Sequence, residues 1–67
     1  MSRSDAVYIN DILESVEIIL NYTEGKTQFE FENDLMLQDA VVRRFEIIGE
    51  ASTKISEDIK TKNPNVQ

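Results

Sequence analysis

The chain has no cysteine, no histidine and no tryptophan, and its 67 residues include only one proline and two glycines. Each absence removes a class of function. Without cysteine there is no disulfide framework, no thiolate nucleophile and no Cys-ligated zinc. Without histidine there is no imidazole base near neutral pH and no histidine metal site. Cations are scarce as well: 7 Lys and Arg stand against 13 Asp and Glu, for a formal charge of −6. That balance opposes free-standing affinity for nucleic acid, whose phosphates reward Lys and Arg. Apolar runs such as Ile18-Ile19-Leu20 are far too short to cross a bilayer. Met1-Ser2-Arg3-Ser4-Asp5 does not open a signal peptide, since no apolar core follows Arg3. The default expectation is a cytoplasmic chain without membrane contact.

Size sets a second limit. At about 25 cal/mol per Å² of buried apolar surface, against roughly 1.5 kcal/mol of ordering entropy per residue, a chain this short balances near zero. Small chains need disulfides, metal or partners. A partner, often a second copy, is the favoured remedy here, so a homo-oligomer (a dimer or higher) is expected.

What is present is helical. Ser4 or Asp5 can cap a first helix, and Ile9, Ile12, Leu13, Val16, Ile19 and Leu20 recur along it as an apolar stripe. Gly25 is placed to end it in the left-handed conformation. Val7, Ile18 and Tyr22 fall off that stripe, as scattered surface apolars or as a second contact face; the shortage of core favours the second face slightly. Thr27-Gln28-Phe29-Glu30 has the T-x-x-E pattern of a capping box, and Asp34 is placed to cap the next helix. That helix is long, expected from Leu35 to about Ile55, with Leu37, Ala40, Val41, Phe45, Ile47, Ile48, Ala51 and Ile55 as its apolar face. Ser56-Glu57-Asp58 can cap one more short helix, stopped by Asn63-Pro64. No alternating strand pattern competes. The fold class is therefore all-α, an antiparallel helical hairpin or bundle.

Residues that could carry chemistry are few. Glu46 and Glu50 are one turn apart, but one turn of one helix supplies too few ligands for a divalent cation. A solvated charged face is the better reading, with Asp39–Arg43 and Glu50–Lys54 in the favourable acid-first order. Arg44 falls inside the apolar stripe, so either its stem snorkels across the edge of the core or it reaches into a shared interface. Gly49 in mid-helix suggests close approach of another backbone, with tolerated noise nearly as good an account. No metal site, no cofactor site and no catalytic constellation emerges.

At Gln38-Asp39-Ala40-Val41-Val42-Arg43-Arg44-Phe45-Glu46-Ile47-Ile48-Gly49-Glu50-Ala51 the chain resembles the Q-x-A-V-x-R-x-L-E-I-I-G-E-A block of the HepT-like branch of the HEPN superfamily. Asp5, Tyr8-Ile9-Asn10-Asp11-Ile12-Leu13-Glu14 and Ile18 are similar to the D-x-x-Y-L-x-D-I-L-E opening of that family, and Ser56 and Asn63-Pro64 to the segment after its second long helix. The resemblance covers nearly all of the chain, with Phe45 in place of the usual Leu. It implies a HEPN-type helical bundle that dimerises and cleaves RNA without metal, as the toxin of a pair whose antitoxin is an MntA-like nucleotidyltransferase.

One departure matters for function. Family members continue into a stretch holding the R-x(4–6)-H ribonuclease motif, and this chain has no histidine at all. By resemblance, residues 1–67 are a single partial domain, the first part of the bundle. Arg43, Glu46 and Glu50 match the family block, so they are expected to line or brace the cleft, with no catalytic residue in the chain itself. Val7, Ile18, Tyr22 and Arg44 are the expected interface residues. The leading functional expectation is the N-terminal portion of a HepT-like ribonuclease toxin, not catalytic alone, with RNA a partner only of the complete domain. The alternative is a non-catalytic helical dimerisation or interaction module.

Overall fold

The computed structural model describes residues 3–62 and forms three helices, α1 (Arg3–Thr23), α2 (Gln28–Glu32) and α3 (Leu35–Lys62). No strand occurs among the described residues. α1 and α3 pack along one another. They run antiparallel: Ser4 and Tyr8 neighbour Lys54, Asp58 and Thr61, while Tyr22 neighbours Met36, Leu37 and Ala40. The expected all-α hairpin is the observed fold.

The turn between the long helices follows local rules closely. α1 ends at Thr23, whose hydroxyl donates to the Ile19 carbonyl at 2.8 Å. Gly25 has φ of +71°, the left-handed conformation that costs a side-chain-bearing residue most. The capping box forms as written: Thr27 Oγ1 accepts from the Glu30 amide at 3.1 Å, and Glu30 Oε1 accepts from the Thr27 amide at 3.3 Å. Asp34 Oδ1 then accepts from the Leu37 amide at 3.0 Å and starts α3. Gln38 reaches back across the corner, its side-chain amide donating to the Phe31 and Glu32 carbonyls at 2.9 and 3.0 Å. Two carbonyls that end α2 are thereby satisfied.

Three expectations need correction. First, α1 begins at Arg3, so Ser4 and Asp5 lie within its first turn; Asp5 still sets negative charge at the positive end of the helix dipole. Second, no separate helix starts at Ser56. α3 runs unbroken through Lys62 because nothing before Ser56 interrupts it, and Ser, Glu and Asp are tolerated within a helix that has tertiary support. The expected stop at Asn63-Pro64 lies outside the described residues.

The third correction concerns the core. Among the described residues only Val41 and Ala51 are buried apolar side chains, joined by Asp5 and by Ser15, which is 1% exposed. Ile9, Ile12, Ile19, Leu37, Ala40, Ile47, Ile48 and Ile55 are half-buried. Leu13, Val16, Leu20 and Phe45 are not core: Leu13 and Leu20 are each 63% exposed and Phe45 58%. α1 meets α3 along the line Tyr8, Ile12, Ser15, Ile19, rotated by roughly 70° from the centre of its apolar stripe at 100° per residue. Two helices bury only one strip each. Ser15 and Ala51, both small and buried, lie on those strips, and much of the remainder of each stripe is left in solvent.

A polar face and a second apolar face

The residues singled out for a cleft lie on one helix and on its outer side. Arg43, Glu46 and Glu50 are all exposed. Arg43 Nη1 is 3.7 Å from Glu46 Oε2, with the two side chains 60% and 57% exposed. The expected i,i+4 partners are replaced by i,i+3 ones: Arg43 pairs with Glu46 in place of Asp39, and Lys54 with Glu57 at 3.9 Å in place of Glu50. Both spacings put side chains on one helix face. No group of three or more acidic side chains able to hold a metal ion occurs among the described residues.

The expected interface residues divide. Val7 and Tyr22 are exposed and Ile18 is half-buried, all toward one side of α1. Arg44 is half-buried in the line of Leu37, Val41, Ile48 and Ala51 that α3 turns to its neighbour. Two shallow grooves flank the ends of the hairpin. One, of about 310 Å³, is lined by Ser4, Tyr8, Lys54, Glu57, Asp58 and Thr61. The other, of about 370 Å³, is lined by Tyr22, Lys26, Asp34, Met36, Leu37 and Ala40. Neither gathers a nucleophile, a base and an anion-stabilising donor, the minimum for acyl or phosphoryl chemistry.

Sequence reasoning missed two features. Gln38, the first residue of the family-like block, is a strut between α2 and α3. The second is an apolar face built from Leu13, Val16, Leu20, Val42 and Phe45, all exposed. Its signal was in the sequence as alternating three- and four-residue steps, but the same residues also satisfy a core stripe.

Among the described residues the chain is an all-helical hairpin with an exposed charged face on α3. Its sequence matches the ribonuclease HepT-like family over residues 12–66, and the chain belongs to that family. It is 45% identical over 62 residues to "Gamma-glutamylcyclotransferase and putative RNase MJ0434" of Methanocaldococcus jannaschii, covering 92% of this chain and 28% of that protein. It is 43% identical over 67 residues to "Putative RNase MJ1380" of the same organism, covering 98% of this chain and 62% of the relative. "Probable ribonuclease HepT" of Thermococcus cleftensis is 41% identical over 66 residues, 98% of this chain and 60% of its own length. The chain thus spans between about a quarter and three fifths of these relatives. No solved structure gives a significant match. No described helix is long and apolar enough to cross a membrane.

Proposed function

We propose that this chain is the N-terminal helical-hairpin portion of a HepT-like ribonuclease toxin of a toxin–antitoxin pair, and that the 67-residue polypeptide by itself does not cleave RNA. One observation carries the reading: the family match runs over residues 12–66, nearly the whole chain, yet that chain spans only 62% or less of these relatives. In the resemblance the R-x(4–6)-H motif follows the matched region, and this chain has no histidine. General acid–base groups contribute typically 10²–10⁴-fold and act best with a pKa near the working pH. The remaining carboxylates of the family block, Glu46 and Glu50, are solvent-exposed. In this reading Arg43, Glu46 and Glu50 brace a cleft that other segments complete. The complete domain is the RNA-binding form, its antitoxin partner is an MntA-like nucleotidyltransferase, and the working compartment is the cytoplasm.

The test is a cleavage assay of the purified chain on a mixed RNA substrate. No cleavage is expected. An activity that co-purifies with the chain and is lost in Glu46→Gln or Arg43→Ala overturns the reading; activity surviving both substitutions is a contaminant.

A second reading, a non-catalytic pairing module, is favoured by Val7 and Tyr22, which are 53% and 43% exposed beside half-buried Ile18. Symmetric pairing is the commonest way for a small chain to cover such a surface. Sedimentation of the chain, with and without Val7→Gln, tests it; a monomer at every concentration counts against pairing.

A further inference from the structure

We draw no further inference here: the strongest candidate, the exposed apolar patch of Phe29, Leu35 and Met36 at the turn end of the hairpin, carries nothing because nothing in the structure shows what covers it.

Discussion

Truncating Val41 should cost this protein more than truncating Phe45, although phenylalanine is the larger side chain. Val41 is 7% exposed and Phe45 58% exposed on the same helix. Fully burying either side chain is worth about 1.5–3 kcal/mol. For Phe45 less than half of that is realised in the hairpin, so Phe45→Ala loses about 1 kcal/mol of burial. Both substitutions gain roughly 0.5 kcal/mol of helix propensity. Val41→Ala removes two buried carbons at about 0.8 kcal/mol each and leaves a void whose lining loses contacts, about 2 kcal/mol before the propensity gain. The net expectation is about 1.5 kcal/mol for Val41→Ala and about 0.5 kcal/mol for Phe45→Ala. At roughly 4–8 °C per kcal/mol for a domain of this size, Val41→Ala lowers Tm by about 6–12 °C and Phe45→Ala by only about 2–4 °C. Thermal melts followed by helical circular dichroism, at protein concentrations low enough to exclude association, read both values. If Phe45→Ala is the more damaging, α1 and α3 do not face one another through Ser15 and Ala51. A buried Phe45 would cost about 3–5 kcal/mol.

Thr27→Ala should destabilise the chain by about 1 kcal/mol, because its hydroxyl accepts from the Glu30 amide and donates to the Glu30 carboxylate; an unchanged urea midpoint would count against it. Arg43→Ala should move stability by no more than about 0.5 kcal/mol, since its 3.7 Å pairing with Glu46 joins two largely exposed side chains. A loss above ~2 kcal/mol would place Arg43 in a buried network. The two glycines should respond oppositely to alanine. Gly25→Ala, at φ +71°, should cost about 1 kcal/mol, whereas Gly49→Ala, with nothing within 4 Å of the new carbon, should stabilise the isolated hairpin by a similar amount. Equal signs in paired melts would contradict one of those two backbone assignments.

The turn was legible in the sequence because its determinants are local. Thr27 and Glu30, Gly25 and Asp34 each act through hydrogen bonds or dihedral angles within a few residues, and all took their expected roles. The rotation of α1 was not legible. Its apolar residues cover more than one face, and a 3.6 period identifies an apolar sector without saying which part meets a neighbour. The decisive residues at the seam, Ser15 and Ala51, carry little hydrophobic signal and matter through what they lack in volume. Ion pairing on α3 was misassigned for a related reason: i,i+3 and i,i+4 partners are both in reach, and small differences in rotamer decide between them. Continuation of α3 past Ile55 turned on the absence of a stop, which a cap-like Ser56-Glu57-Asp58 disguised.

The same geometry links stability to partnership. A hairpin whose buried apolar side chains, among the described residues, are Val41 and Ala51 has little core of its own. Meanwhile Leu13, Leu20 and Phe45 are each more than half exposed. In a larger helical assembly those side chains would be the core, and their desolvation would add to folding and binding at once. Rotation of α1 toward Ser15 therefore has two consequences from one cause. It closes the seam with α3 at small residues, and it turns the larger apolar side chains outward toward whatever completes the structure. The glycine at position 49 fits that division, since it weakens the isolated helix while leaving room on the outward side. A chain selected to stand alone would gain from alanine at 49 and from polar residues at 13, 20 and 45. If the chain is part of a larger assembly, as proposed, these are the positions that assembly would cover.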